Sequence, residues 1–345
     1  MDDLQGMRRA VTLAAAARAV ASPNPWVGAV IEAGDGRVFE GATAAPGGPH
    51  AEAAALAAAG EAARGATLWT TLEPCAHHGR TPPCADAIVA AGVRRVVVAL
   101  CDPDPLVDGR GLARLGEAGV EVAPGVGADV VGDQLAPYLK HRRTGRPWVV
   151  LKLAASLDGR TAAPDGTSQW LTGTEARSDA HRLRAESDAV IVGAGTVRTD
   201  DPSLTVRLSE GPDPLRVVLG RAPRQARVHP ALELGGDLGE VLDDLGSRGV
   251  VQVLVEGGPT VAGEFCRAGL VDRYVVYLAP KLFGGDDGRP LFAGPGAATL
   301  ADVVDGRIVS VARLGADVRI ELAPSPATIP SPPVVGEALR WMEPA

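Results

Sequence analysis

His50-Ala51-Glu52, an alanine-rich run to Ala59, then Thr70-Thr71-Leu72-Glu73-Pro74-Cys75 and, after eight intervening residues, Cys84: the reading of this stretch decides the rest of the chain. His50 follows a Pro/Gly loop and opens a predicted helix that stops at Gly60, with His50 and Glu52 sharing its first turn. Residues 67–72 read as a strand, and Pro82-Pro83 lead into a helix from Cys84 to Ala91. Each Cys is thus expected near a helix start, where the dipole favours a thiolate. Residues 94–100, nearly continuous in Val, read as a strand buried on both faces. Strands alternating with helices define an α/β layered domain.

Imidazole and thiolate are borderline-soft ligands suited to Zn²⁺, and three protein ligands leave a fourth tetrahedral position open. A carboxylate two residues after the His can move protons beside the metal without ligating it. His-x-Glu, later Pro-Cys and a further Cys form the signature of zinc deaminases, with the Glu as general acid/base. His50, Cys75 and Cys84 are therefore the expected ligands of one zinc ion per chain, and Glu52 the expected catalytic residue. A structural zinc site would need a fourth ligand, for which His77 and His78 are the obvious candidates. The open position and the Glu favour catalysis. Eight residues separate the two Cys where the general signature has two, so Ala76 to Pro83 is expected to form a loop over the mouth of the site.

Upstream, residues 7–20 read as an Ala-rich helix ended by Ser22-Pro23, and residues 27–31 and 37–40 as short strands joined by a turn. Downstream, Asp102-Pro103-Asp104-Pro105 forms a loop at a strand's C-terminal end, where α/β sites are usually built. A helix around residues 128–142 precedes Arg143-Thr144-Gly145-Arg146-Pro147, the expected linker. The expected domains are 1–144 and 146–323, with a Pro-rich tail at 324–345.

Composition narrows the function classes. The chain has 345 residues, enough for two domains, and 46% hydrophobic residues, enough for two cores. A net charge of -8 with only 3% aromatics argues against a nucleic-acid surface, and so against an editing deaminase that stacks flipped bases. No apolar span is long enough to predict a membrane helix. Residues 10–21 mimic a signal peptide, but Asp2, Asp3 and Arg18 oppose that reading, so a cytoplasmic protein is expected. Cys101 and Cys266, outside the zinc set, read as buried thiols of a reducing compartment. Only three Lys occur, at 140, 152 and 281, so a retained Lys carries more weight than one of the many Arg.

In the second domain, a strand from Trp148 to Leu153 is followed by a helix at residues 181–185 and a strand at 188–192. Gly193-Ala194-Gly195-Thr196 follows that strand, and Glu256-Gly257-Gly258-Pro259-Thr260 follows another and enters a helix. Glycines at a strand-to-helix turn let backbone amides approach a pyrophosphate at the helix N-terminus. Neither turn is the dinucleotide fingerprint, because Arg198 stands where its third Gly belongs.

Pro74-Cys75-Ala76-His77-His78-Gly79-Arg80-Thr81-Pro82-Pro83-Cys84-Ala85-Asp86-Ala87, with Pro23-Asn24-Pro25-Trp26-Val27-Gly28 upstream, closely resembles the bifunctional deaminase-reductases of riboflavin biosynthesis. Lys152 to Arg160, Ser168-Gln169-Trp170 and Asp200-Asp201-Pro202 extend the resemblance, which covers roughly residues 7–323. It implies a cytidine-deaminase-like three-layer α/β/α domain followed by a dihydrofolate-reductase-like α/β domain. The implied first reaction is hydrolytic deamination of a diaminopyrimidinone bearing a phosphoribosylamino group. The second is reduction of that ribosyl group to ribityl with NADPH. The implied cofactor contacts are Ala154, Trp170, Thr196, Asp200, Gly258, Pro259 and Thr260. The implied substrate contacts are Asn24, Ser168, Arg184, Leu204, Arg207 and Glu256, to which we add Lys152. Arg184 and Arg207 suit a phosphate, which guanidinium binds bidentately. A homo-oligomer, dimer or tetramer, is expected. The chain departs from the family at Thr43 (often His), Arg80 (often Lys), Asp104 (typically Asn) and Gly220 (commonly Asp). Residues 231–244 look shortened, which predicts loss of a peripheral strand and leaves a weakened reductase as an alternative.

Overall fold

The computed structural model describes residues 1–77 and 82–325. The expectations placed on His78, on Arg80 and on the tail beyond residue 325 lie outside the described residues. The chain divides into two compact units, one formed by Met1–Thr144 and the other beginning at Gly145.

The first unit runs α1 (Asp3–Ala21), β1 (Gly28–Glu32), β2 (Val38–Ala42), α2 (Ala51–Ala59), β3 (Thr67–Leu72), α3 (Cys84–Ala90), β4 (Arg95–Leu100), α4 (Arg110–Glu117), β5 (Glu121–Pro124) and α5 (Ala128–Thr144). Its sheet has the order β2-β1-β3-β4-β5, with β1 antiparallel to both neighbours and β3, β4 and β5 parallel. Helix α1 begins at a capping box between Asp2 and Gln5. It buries Met7, Ala10, Ala14, Ala17 and Ala21, spaced three and four apart as one helix face requires. Two glycines fix the layering. A Cβ on Gly28 would lie 1.9 Å from the carbonyl O of Ala10 in α1, and one on Gly41 2.2 Å from that of Ala51 in α2. Gly41 pairs with Ala29, so the two glycines face opposite sides of the sheet and the helices sandwich it. Helix α4 and strand β5 were not anticipated: α4 has eight residues and β5 four, ending in a Pro, too short for a clear periodic signal.

The second unit runs β6 (Trp148–Ser156), β7 (Arg160–Ala162), α6 (Thr174–Ala185), β8 (Ala189–Gly193), α7 (Ala194–Asp200), β9 (Leu215–Leu219), β10 (Leu232–Leu234), α8 (Leu238–Ser247), β11 (Gln252–Val255), α9 (Pro259–Arg267), β12 (Arg273–Ala279), β13 (Arg289–Pro290), β14 (Gly306–Leu314) and β15 (Asp317–Pro324). Eight strands form one sheet in the order β10-β9-β8-β11-β6-β12-β15-β14, parallel from β10 to β12 and antiparallel at the β15-β14 edge. Alternation along the strands fills two cores. Val149, Leu151, Val253 and Val255 pack with Phe265 of α9, while Val150, Val190, Val192 and Leu254 pack with Leu183 of α6. Residues 231–244, expected to have lost a strand, carry the short edge strand β10 and most of α8. That helix is capped by Asp237, whose carboxylate accepts from the amides of Gly239 and Glu240. Among the described residues no helix is long and apolar enough to cross a membrane.

Candidate active sites

In the first unit, chain reversals after β3 and before α2 bring His50, Cys75 and Cys84 together. His50 is the N-cap of α2, and its Nδ1 lies 3.6 Å from Cys75 Sγ and 3.4 Å from Cys84 Sγ. A tetrahedral zinc with Zn–N of about 2.05 Å and Zn–S of about 2.3 Å implies an N···S edge of about 3.6 Å. The three ligand atoms lie within 4.8 Å of one another, so the donor set and its spacing both fit the ion. Cys84 opens α3 as expected, but Cys75 does not sit at a helix start: it lies in the loop after β3. Its sulfur instead accepts the amide of Cys84 at 3.3 Å, so the start of α3 serves both thiols. The Cys75 thiol is pulled down to about 4, first by the hydrogen bond from Cys84 and then by His50, which outweigh burial. Cys84 is pushed up, first by that pairing with Cys75 and then by burial. A zinc ion held by both sulfurs would remove their competition for one proton.

Glu52, two residues beyond the cap, is 4% exposed. Burial pushes its carboxyl up to about 6, close to where a group can both take and give a proton near neutrality. The Thr70 hydroxyl donates to its Oε1 at 3.3 Å. A cavity of about 470 Å³ opens here, lined by Asn24, Thr43, His50, Glu52, Cys75, His77, Asp102, Asp104, Tyr138 and Arg142 among others.

Part of that wall was not foreseen. The Tyr138 hydroxyl sits 3.0 Å from both oxygens of Asp102, whose carboxyl burial pushes up to about 6. Asp104 lies 3.6 Å from Arg142, whose guanidinium stacks on Tyr138. Glu73, buried beside the ligands, accepts the amides of Asp102, Gly109, Gly111 and Leu112, and so fixes the loop that carries both Asp residues. The available signal was the spacing of Tyr138 and Arg142, one turn apart on a helix end.

In the second unit, β8 and β11 are adjacent and parallel; β8 runs directly into α7, and β11 reaches α9 through the turn Glu256-Gly257-Gly258. The N-termini of α7 and α9 therefore open on one cavity of about 900 Å³. A Cβ on Gly258 would stand 3.4 Å from the Thr196 hydroxyl, which puts the two glycine turns side by side. Gly257 has no room for a side chain, since its Cβ would meet that of Val261 at 2.5 Å. Ala154, Trp170, Thr196, Asp200, Gly258, Pro259 and Thr260 all line this cavity, as do Lys152, Ser168, Arg184, Arg207 and Glu256.

Leu204 does not. It is buried in the core at a backbone φ of 54°, so its side chain packs with Leu183 and Val197 instead of facing the cavity. Nor does Arg184 present a free fork to a phosphate. Its Nε and Nη2 donate to the two oxygens of Glu256 at 2.5 and 2.9 Å, and Nη1 donates to the Thr205 carbonyl. Lys152 lies mid-strand in β6, not at a strand end, with Nζ 3.8 Å from Glu256. Burial disfavours the Glu256 carboxylate, but Arg184 and then Lys152 outweigh it and hold its pKa below the usual range. Burial pulls Lys152 down against Glu256. His181, pulled down to about 4 by burial and then by Arg184 and Arg207, stays neutral and accepts the Arg207 amide at 3.0 Å.

A three-ligand zinc site with a buried Glu in one α/β unit, and paired helix N-termini over a large cavity in another, define a zinc deaminase joined to a nucleotide-binding reductase. Comparison with known proteins gives the same pairing. Residues 1–100 match the cytidine and deoxycytidylate deaminase zinc-binding region, and residues 147–320 match the RibD C-terminal domain. The chain is 41% identical to the riboflavin biosynthesis protein RibD of Escherichia coli, over 93% of this chain and 99% of that one. It is 44% identical to RibD of Mycobacterium tuberculosis, over 87% and 91%. Among solved structures, RibD of Acinetobacter baumannii superposes with a TM-score of 0.87 at 40% identity, over 94% and 99% of the two chains. A diaminohydroxyphosphoribosylaminopyrimidine deaminase/5-amino-6-(5-phosphoribosylamino)uracil reductase of Thermotoga maritima gives 0.85 at 34% identity, over 93% and 98%.

The chain belongs to the RibD family of riboflavin biosynthesis proteins. It is a bifunctional enzyme, a zinc-dependent deaminase and an NADPH-dependent reductase, with the cytidine-deaminase-like and dihydrofolate-reductase-like folds expected from its sequence. With both domains matched, neither an editing deaminase nor an impaired reductase is favoured.

Proposed function

We propose that residues 1–144 deaminate a diaminopyrimidinone carrying a phosphoribosylamino group, and that residues 146–323 then reduce the ribosyl group. The observation that carries this is the His50-Cys75-Cys84 cluster with buried Glu52 beside it. His50, Cys75 and Cys84 would hold the zinc, which when bound supplies a water acidic enough to react near neutral pH. Glu52 would take a proton from the attacking water and deliver it to the departing amine, one residue serving both transfers. Thr70 holds its carboxylate in place. Asn24 and the Asp102-Tyr138 pair present hydrogen-bonding groups to the ring and ribose, and the exclusion of bulk water strengthens each contact.

In the second unit, the amides at the starts of α7 and α9 suit the cofactor's pyrophosphate, and NADPH supplies the hydride. Ala154, Trp170, Thr196, Asp200 and the Gly258-Pro259-Thr260 turn border it. Lys152, Ser168, Arg184, Arg207 and Glu256 face the sugar side. Arg207, held by Ser203 and Thr205 but by no carboxylate among the described residues, is better placed than Arg184 for the substrate phosphate. The Arg184-Glu256 pair, with Lys152, makes a fixed polar wall against which the opened sugar is oriented. Leu204 supports this wall from behind. The cysteines are free thiols, in keeping with a cytoplasmic protein, and we read it as a homodimer or homotetramer, which sedimentation velocity would resolve.

Mass spectrometry of the diaminopyrimidinone substrate, incubated with and without NADPH, tests the proposal. Loss of the amino group in both samples, with gain of two hydrogens only when NADPH is present, is expected. No deamination without NADPH would overturn it.

A further inference from the structure

We propose that Lys281 is a positioning residue for the rim of the reductase cavity, holding the Trp170 segment where NADPH is taken up. The inference rests on the reading of this cavity as the cofactor site.

Residues 168–172 line the cavity yet belong to no helix or strand, so no ladder fixes them. Trp170 stands 66% exposed at the edge, a large indole held out in solvent. Its position is set from two sides. The guanidinium of Arg177 lies over the ring at 4.7 Å, and its Nη1 donates to the Thr172 carbonyl at 2.7 Å. On the other side the ammonium of Lys281 donates to the Trp170 carbonyl at 3.0 Å and to the Leu171 carbonyl at 2.7 Å.

An exposed lysine ordinarily keeps its rotamer freedom and its hydration, so capture by two consecutive carbonyls needs an anchor that is itself fixed. The loop carrying Lys281 has one. Its carbonyl accepts the Leu157 amide at 2.9 Å, and the next amides, of Phe283 and Gly284, donate to the Asp158 carboxylate at 2.9 and 2.8 Å. Restraint therefore passes from the turn after β6, through the 281–284 loop and the lysine, to the two peptides on which the indole is mounted. The result is a ring face pre-ordered beside the helix N-termini, suited to a flat heteroaromatic ring. Arg in place of Lys could still reach one carbonyl; a methionine of similar length could reach neither.

The test uses the full-length zinc-loaded enzyme and titrates NADPH by the change in its own fluorescence, alongside steady-state reduction. For Lys281→Met the dissociation constant and the KM for NADPH should rise about three- to tenfold, the range of one net hydrogen bond at an exposed site. The kcat for reduction should move much less, deamination not at all, and Lys281→Arg should recover most of the affinity. Trp170→Ala is the control for the underlying reading. If it weakens NADPH binding while Lys281→Met does not, the latch is wrong and the cofactor site stands. If neither variant changes the dissociation constant, both are wrong. An equal loss in Lys281→Met and Lys281→Arg, with a lowered unfolding temperature in both, would overturn positioning in favour of general stability.

Discussion

The ligand cluster of the first unit is made of side chains, and the two glycine turns that border the cavity of the second are made largely of backbone. Zinc chemistry needs particular ligand atoms, so His50, Cys75, Cys84 and Glu52 have no substitutes, and the site is written in residue identities at short spacing. A pyrophosphate needs N–H groups at a helix start, which any residue can supply if the chain turns tightly enough, so the proposed cofactor turns are written in glycines and strand ends. The difference shows in their electrostatics as well. The deaminase wall holds a carboxyl, Asp102, whose burial favours the protonated form, whereas the reductase wall holds a histidine, His181, whose burial and neighbouring arginines favour the neutral form.

The sharpest way to separate the two is Glu52→Gln. Deamination should fall beyond the roughly 10²–10⁴-fold typical of one acid/base group, because Glu52 serves both proton transfers. Zinc content and reduction of the already deaminated substrate should be unchanged, and a variant keeping a tenth of the wild-type rate would sink the assignment. Next in size is Gly258→Leu, which carries bulk towards Thr196 and the converging amides. The KM for NADPH should rise on the order of 10²-fold with deamination intact. Unaltered NADPH kinetics would mean that the cofactor does not approach this turn.

Smaller effects probe the opposed titrations. The Asp102 carboxyl is raised in the folded state from 3.8 to about 6, so its contribution to stability is full below pH 4 and is lost as pH rises through 6. Relative to Asp102→Asn, the wild type should therefore lose roughly 3 kcal/mol across that window, read from urea midpoints. The His181 imidazole is lowered from 6.5 to about 4, so its contribution is present above pH 6.5 and is lost as pH falls through 4. Relative to His181→Gln, the wild type should weaken on acidification. Parallel slopes for the two pairs would remove the electrostatic contrast.

What was legible in the sequence follows the same division. The strand at 67–72, the helix after His50 and the zinc set were readable because periodicity and ligand type are local properties. Glu73 gave no such signal: its four amide partners come from residues 102–112, and only the folded loop brings them to it. Arg184 and Glu256 are seventy-two positions apart, so their pairing, and with it the loss of a free phosphate fork at Arg184, could not be seen in either residue alone. Leu204 was named a substrate contact by likeness, while its apolar side chain packs in the core. Lys281 was marked only by the rarity of lysine, because its two carbonyl partners, at Trp170 and Leu171, lie more than a hundred positions upstream.

The central claim is that zinc chemistry belongs wholly to the first unit and hydride chemistry to the second. It is tested most directly by assaying both half-reactions, each with its own substrate, in protein stripped of zinc by a chelator and shown by circular dichroism to remain folded. We predict that deamination is abolished and returns on adding zinc, while NADPH-dependent reduction continues at its original rate. Loss of both activities in the folded, zinc-free protein would contradict the account.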